Sequence, residues 1–206
     1  MRKAIVAVAA CGLMASTANS KQPGKFETVE IEVAFGQCHF KLKDPYGAHF
    51  RATKSRLPPL ANYIANVNTG GAYPFEIWIQ FSCQDPATAQ TLSERALIKM
   101  TDKGWVLDPT PGREIIEQQH TTFYPLHGKG WIGGGTTQDD VNGDEARRMR
   151  TFNFCIPHRQ LAVCGYVDVG YLLKPRESMF PQVVQLLQSI EFIDVQSVAP
   201  ADTANP

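Results

Sequence analysis

Apolar and polar residues alternate along much of the chain, and this pattern predicts β-strands. The alternation covers 29–35 and resumes over 38–42, and a period of two is typical of strands with one buried face. Gly36 interrupts it, which favours a bulge or a tight hairpin. The clearest alternation spans 75–83. Further strands are predicted over 146–156, 161–173 and 190–193, with two more inside 113–138.

Two segments show helical spacing instead. Asp85-Pro86 offers an N-cap followed by proline at the first helical position, which predicts a helix over 86–102. Apolar residues within 179–187 recur at intervals of three and four and predict a second helix. One helical turn is also predicted around Leu60–Val67, in a region with several prolines.

Strands therefore outnumber helices. Asn142-Gly143 is a strong signal for a type I′ hairpin, since both residue types tolerate positive φ, and it would join a strand ending near Gln138 to the strand at 146–156. We expect an α+β fold, with a mainly antiparallel twisted sheet and two or three helices packed on it. One domain is predicted over 21–195, followed by a disordered tail at 196–206.

The first twenty residues predict export. A basic start, Met1-Arg2-Lys3, precedes an apolar run at 4–15 and a small, polar stretch at 16–20, and this order is typical of a secretory signal peptide. Residues 1–20 are therefore assigned to a signal, which places the protein in the periplasm or outside the cell. The alternative is a lipid anchor on Cys11, because the preceding Val-Ala-Ala resembles a bacterial lipobox. No segment is long and apolar enough to predict a transmembrane helix.

Four cysteines remain in the mature chain once Cys11 is removed with the signal peptide. An even number in an exported chain predicts two disulfides, with three possible connectivities. Cys38 and Cys83 each share strand parity with core-facing residues, while Cys155 and Cys164 fall opposite each other if 156–163 folds as a hairpin. We therefore predict Cys38–Cys83 and Cys155–Cys164; four buried reduced thiols are the alternative.

Composition and motifs exclude several classes of function. The 206 residues carry 20 basic and 20 acidic side chains, and 43% are hydrophobic, which excludes a strongly basic nucleic-acid binder and a highly charged disordered chain. Gly-x-Ser-x-Gly, Ser-x-x-Lys, His-Glu-x-x-His and Walker motifs are absent. No catalytic residue, cofactor or metal is predicted. The 140–144 loop places oxygens as a calcium loop would, but Glu145 and Thr151 break that pattern.

The 138–150 region is the predicted binding element. Acidic residues gather at the hairpin tip and basic residues follow, a separation of charge that suits docking to a protein. Two tryptophans on strands are candidate anchors. The predicted partner-binding residues are Asp139, Asp140, Asp144, Arg147, Arg148, Trp131 and Trp78. The alternatives are mutual neutralisation of the charges on a solvated surface and packing of the tryptophans in the core.

The C-terminal half resembles a known family. Gly130-Trp131, the arginine-led strand 150–155, the strand 164–167 and a helix ending in Leu187-Gln188-Ser189-Ile190-Glu191-Phe192 resemble periplasmic immunity proteins against lipase toxins of type VI secretion. The closing helix and strand are also similar to small PsbP-like α/β/α sandwich domains. The resemblance implies binding of a toxin rather than catalysis, and it carries over no catalytic residue.

Three functions follow as hypotheses. The leading one is an exported, non-enzymatic periplasmic protein that binds a partner protein, as an immunity protein binds its toxin. The second is a small-ligand or envelope-lipid binding protein, which requires a large apolar pocket. The third is a hydrolase using His120 or His127, which requires a cleft where either ring meets a carboxylate such as Glu114 or Glu117.

Overall fold

A computed structural model describes residues 27–53, 57–110 and 112–194. The predicted signal peptide with Cys11 and the predicted tail at 196–206 lie outside the described residues. Antiparallel strands dominate the described part of the chain. They are β1 (Val29–Phe35), β2 (Cys38–Asp44), β3 (His49–Thr53), β4 (Leu60–Val67), β5 (Phe75–Gln84), β6 (Ile98–Thr101), β7 (Gly104–Leu107), β8 (Thr122–Gly128), β9 (Trp131–Asp139), β10 (Met149–His158), β11 (Leu161–Tyr171) and β12 (Glu191–Phe192).

Three α-helices accompany these strands in the described ranges. They are α1 (Ala89–Ala96), α2 (Arg113–Gln118) and α3 (Phe180–Gln188). The main sheet has seven strands in the order β3-β4-β5-β11-β10-β9-β8, a smaller sheet has the order β1-β2-β12, and β6 pairs with β7. All the pairings are antiparallel. A mostly antiparallel structure with three helices is consistent with the predicted α+β class.

The inner face of the main sheet holds the core. Alternate residues of β5 point inward, so Ile77, Ile79 and Phe81 are fully buried. They pack with buried residues of β1 and β2 and with Val183 and Leu187 of α3 in one cluster. Removal of such side chains from water contributes about 1.5–3 kcal/mol each. The alternation seen in the sequence therefore reflects a sheet whose inner face is covered by the small sheet and by α3.

Only part of the outer face is covered. Leu92 and Ala96 of α1 and Ile98 of β6 pack on the outer face around the buried Cys155 and Cys164. Thr136 of β9 donates its hydroxyl to the carbonyl of Ala96 at 3.0 Å, which ties the end of α1 to the sheet. The outer face beyond this layer carries exposed side chains of β5 and β11, and the candidate site lies there.

Both predicted disulfides are present. Cys38–Cys83 joins β2 of the small sheet to β5 of the main sheet, and Cys155–Cys164 joins directly opposed residues of β10 and β11. Strand parity for Cys38 and Cys83, together with the predicted hairpin between Cys155 and Cys164, therefore identified the correct pairing among the three. Two buried disulfides indicate that the protein matures in an oxidising, non-cytoplasmic compartment.

The helical predictions need correction at two places. Leu60–Val67 is not a helical turn but strand β4, which lies between β3 and β5. The helix predicted over 86–102 is shorter: Thr88 caps it through its side chain, and it ends at Ala96 because Leu97 adopts a left-handed conformation with φ 52°. The chain then continues as β6, where Ile98 is buried.

Two further boundaries differ. The stretch 113–138 begins with α2 before the two predicted strands, which meet at Lys129-Gly130. β9 and β10 pair as predicted, but no two-residue type I′ turn joins them. Residues 140–148 form a longer connection that contains a 3-10 turn at Glu145–Arg147. Asp140 and Asp144 each accept a backbone N–H within this connection, from Asn142 and Ala146.

Candidate functional site

The open part of the outer face contains a groove between β5 and β11. These strands are hydrogen-bonded only where Gln80–Gln84 faces Ala162–Tyr166. Beyond that point, residues 75–79 pair only with β4 and residues 167–171 pair only with β10. A groove of about 730 Å³ opens there. The end of the shared ladder is therefore what creates the site.

Aromatic side chains line this groove. Trp78 on β5 is 53% exposed and Tyr166 on β11 is 48% exposed. Tyr73, which precedes β5, is 85% exposed. The indole N–H of Trp78 donates to Asn62 Oδ1 at 3.0 Å, which fixes the orientation of the ring. Several large, exposed aromatic side chains in one concave area are typical of binding surfaces.

The groove is closed at the end away from the shared ladder. The rings of Phe75 and Tyr171 meet edge to face, with centroids 6.3 Å apart. Lys174 lies over the Tyr171 ring at 5.9 Å. Gly71 lies so close to Glu177 that a Cβ there would approach the carboxylate oxygen to 2.9 Å. The turn before β5 and the segment after β11 therefore pack together as one wall.

The charged groups of the groove are unequally paired. Arg147 Nε lies 3.8 Å from Asp144 Oδ2, and Lys174 Nζ lies 3.5 Å from Glu177 Oε2. Glu76 and Asp168 also line the groove. Neither forms an ion pair with any described residue, although Asp168 accepts a hydrogen bond from the Thr151 hydroxyl at 2.7 Å. The groove lining therefore carries negative charge, from Glu76 and Asp168, that no described ion pair neutralises.

Two of the predicted binding residues, Trp78 and Arg147, come together in this groove. Asp140 and Asp144 are exposed on the 140–148 connection beside it. Arg148 is half-buried, and its Nη2 donates to the carbonyl of Gly143 at 3.2 Å. The charged connection therefore forms a rim next to the aromatic groove.

The other two predicted binding residues lie in the interior. Trp131 is only 5% exposed, and its indole N–H donates to the carbonyl of Ile190 at 2.8 Å; it belongs to the core, the alternative raised by the sequence. Asp139 is 8% exposed and accepts two hydrogen bonds from Arg150, at 2.6 and 2.9 Å. The prediction that these two residues lie at the surface is wrong, because the strand β9 turns both side chains inward.

The two candidate catalytic histidines lie outside the groove. His120 Nδ1 is 3.3 Å from Asp139 Oδ2, and its ring is largely exposed. The carboxylate it meets is thus neither Glu114 nor Glu117. Arg150 already holds both oxygens of Asp139. His127 is exposed on β8 and forms no ion pair with any residue in the described ranges.

The sequence analysis did not single out the aromatic groove residues Tyr73, Tyr166 and Tyr171, nor the acidic residues Glu76 and Asp168. The outward positions of β5 were visible as Glu76, Trp78 and Gln80. The facing residues of β11 could not be matched to them, because the sequence does not reveal that β5 and β11 are neighbours. A search for aromatic residues at outward positions of every predicted strand would have found Tyr166 on the same parity as Asp168.

Comparison of the chain with protein-family models, curated proteins and solved structures gave no match. Within the described ranges, His, Cys, Asp and Glu form no group of three or more that could hold a metal ion. No helix in this part of the chain combines the length and the apolar character needed to cross a membrane.

Proposed function

We propose that this chain is an exported protein that binds a partner protein through the aromatic groove and the adjoining 140–148 connection. The observation that carries the proposal is the joint exposure of Trp78, Tyr166 and Tyr73 in one concave area. Tryptophan, tyrosine and arginine dominate the residues that supply most of the binding energy in protein interfaces. A polar, charged rim beside exposed aromatic side chains is also typical of such interfaces.

The same proposal assigns the compartment and the kind of partner. The signal-like start of the chain and the two disulfides support the periplasm of a bacterial envelope. The resemblance of the C-terminal half to immunity proteins supports a toxin as the partner. The mixed charge of the 140–148 connection would orient that partner during encounter, since charged rims act mainly on association rate and specificity.

The test uses the mature chain with a C-terminal affinity tag and an envelope extract of the source cells. We expect one protein to be captured by the wild type and lost with Trp78→Ala or Arg147→Glu. Ile132→Ala and Arg113→Glu serve as matched controls, because both residues are exposed and lie outside the groove. Equal capture by all five chains would contradict the proposal, and so would equal loss in groove variants and controls.

A second candidate function is supported by the size of the groove. Its volume of about 730 Å³ falls within the range of roughly 300–1,000 Å³ found for ligand sites. The charged lining from Glu76 and Asp168 favours a polar small molecule over a lipid tail. Mass spectrometry of molecules released from the purified native protein would test this, and a compound released from wild type but not from Trp78→Ala would support it.

A further inference from the structure

We propose that the groove receives an extended segment of the partner that pairs as a strand and places a lysine or arginine side chain between Trp78 and Tyr166. This inference rests on the proposed function and names the chemistry of the partner. Three features of the groove support it: a free strand edge on β5, two neighbouring aromatic rings and two carboxylates without a cationic partner.

The free edge comes from the early end of the β5–β11 ladder. Residues 75–79 of β5 have one side that is not paired with a described strand. The facing edge of β11 is partly occupied, because the carbonyl of Val169 accepts the backbone N–H of Met179 at 2.7 Å. A free edge presents backbone N–H and C=O groups at the spacing of an extended chain. An extended peptide that adds to a sheet edge obtains its affinity from these groups, and its alternate side chains enter pockets that give specificity.

The aromatic rings lie where one such side chain would point. Tyr166 pairs with Gln80 across the two strands, so Trp78, two residues from Gln80, is its diagonal neighbour on the same face. Diagonal neighbours lie about 7–8 Å apart at their Cα atoms, within reach of long side chains. The faces of tryptophan and tyrosine rings attract a lysine ammonium or an arginine guanidinium.

The two carboxylates favour a positively charged side chain of the partner over a negatively charged one. Glu76 precedes Trp78 by two residues and Asp168 follows Tyr166 by two residues, so both lie on the face of the aromatic pair. The two cations that line the groove, Arg147 and Lys174, already lie within 4.0 Å of Asp144 and Glu177. A cationic side chain would therefore meet two acids without competition from these residues, whereas an anionic one would be repelled.

Isothermal titration of the mature chain with three probes tests the charge selection. The probes are a capped hexapeptide of alternating threonine and lysine, its threonine–glutamate counterpart, and an N-acetylglucosamine hexamer. We expect the lysine peptide alone to bind. The double variant Glu76→Gln/Asp168→Asn should weaken binding about tenfold and Trp78→Leu about fivefold, while Glu114→Gln, an exposed acid on α2, should leave it unchanged.

Salt and backbone chemistry supply two further readouts. Raising the ionic strength from about 0.01 M to about 0.1 M shortens the Debye length from about 30 to about 10 Å, so the lysine peptide should bind several-fold more weakly. N-methylation of alternate residues of the lysine peptide removes N–H donors. The peptide whose methylated residues face the free edge of β5 should bind about tenfold more weakly. Circular dichroism of each variant confirms that the fold is intact.

Several results would overturn the inference. Equal binding of the lysine and glutamate peptides, or unchanged affinity in the Glu76/Asp168 double variant, would exclude a cation site. Insensitivity to N-methylation in either register would exclude strand pairing. Binding of the sugar hexamer that Trp78→Leu abolishes would reassign the groove to a glycan. If the lysine peptide fails but Trp78→Ala still loses the captured partner, only the proposed chemistry is wrong and the proposed function stands.

Discussion

At the scale of single residues, the Asp139–Arg150 pair shows how a charge is held inside this fold. Arg150 donates two hydrogen bonds to Asp139 at 2.6 and 2.9 Å, and His120 contacts the same carboxylate. The hydrogen bonds from Arg150, with a smaller contribution from His120, keep the pKa of Asp139 below its usual range. The backbone N–H of Asp139 also donates to the carbonyl of Gln119 at 2.8 Å. One side chain thus joins β9, β10 and the segment before β8.

Replacement of Asp139 by asparagine should lower the free energy of unfolding by about 1–2 kcal/mol at pH 7, because a charge-assisted pair with a partly exposed arginine is lost. A carboxylate with a depressed pKa stabilises the fold above its unfolded pKa of about 3.9, and this stabilisation is lost as the pH falls through the lower folded value. The difference between wild type and Asp139→Asn should therefore shrink below about pH 4.

Urea denaturation at pH 7 and at about pH 3 measures this effect. Asp140→Asn is the matched control, since Asp140 is the adjacent carboxylate, is exposed and forms no ion pair with any described residue. It should change stability by less than about 0.5 kcal/mol at both values. An equal loss for Asp139→Asn at both pH values would show that packing, not charge, gives Asp139 its role.

Trp131 is a second single residue that stabilises the interior, here through a large aromatic side chain. Its indole lies directly against Gly128, where an added Cβ would approach ring atoms to 2.2–2.4 Å. The glycine therefore makes room for the ring, and the ring reaches the carbonyl of Ile190 near the end of α3. A tryptophan so placed stabilises the fold and is not available to a partner.

At the scale of elements, the sequence predicts strands best where one face is buried and the other is solvated. β1, β2 and β5 lie close to their predicted positions because their alternation matches their burial. β4 was missed since Leu60, Tyr63, Ile64 and Val67 follow helical spacing. Pairing with both neighbouring strands makes it a strand, and alternate residues Ala61, Tyr63 and Ala65 are buried. Tertiary pairing here overrides the local pattern.

The candidate site was predictable only in part, for a related reason. The outward position of Trp78 follows from alternation within β5, and Arg147 was found through the charge pattern of its own segment. Tyr166 and Asp168 belong to a strand some ninety residues later. Their place beside Trp78 depends on strand order and on where a ladder ends. Neither the strand order nor the end of a ladder can be predicted from the local sequence pattern of a single strand.

The two disulfides should stabilise the fold to different extents. They close loops with sequence separations of 45 and 9 residues. In the chain-entropy description, removal of the longer loop costs about 4 kcal/mol and removal of the shorter about 2.5 kcal/mol. The Cys38→Ala/Cys83→Ala variant should therefore unfold at lower urea than Cys155→Ala/Cys164→Ala.

Urea denaturation of both double variants beside the wild type checks this order, and the wild type under reducing conditions is the control for loss of both bridges. A lower stability of the Cys155/Cys164 variant would contradict the entropic argument. It would show that the packing of these buried sulfurs under α1 outweighs loop length.

At the scale of the whole molecule, the two faces of the main sheet have separate roles. The inner face, covered by the small sheet and α3, contains most of the core. The outer face is divided between the α1 layer and the open groove. Substitutions in the groove can therefore alter binding while the core stays unchanged, which is what the tests of function require.

The proposed export is tested on the whole chain. We expect protein purified from the envelope to begin after residue 18 or 20, because small residues precede both positions, and to gain four hydrogens on reduction. Intact-mass spectrometry measures both. An intact initiator end with five free thiols, Cys11 among them, would contradict export. The variant Cys11→Ser tests the lipid anchor, because loss of membrane association in this variant would show lipidation.

The α1 layer has a consequence for the chemistry of the sulfur it covers. Cys155 and Cys164 have no exposed surface, and Leu92, Ala96 and Ile98 lie over them. A thiolate must reach a sulfur atom directly to cleave a disulfide. Glutathione or dithiothreitol can therefore attack this bridge only after α1 has separated from the sheet. Cleavage of this bridge would then be no faster than the opening of the helix, and α1 would protect the bridge kinetically in a thiol-containing environment.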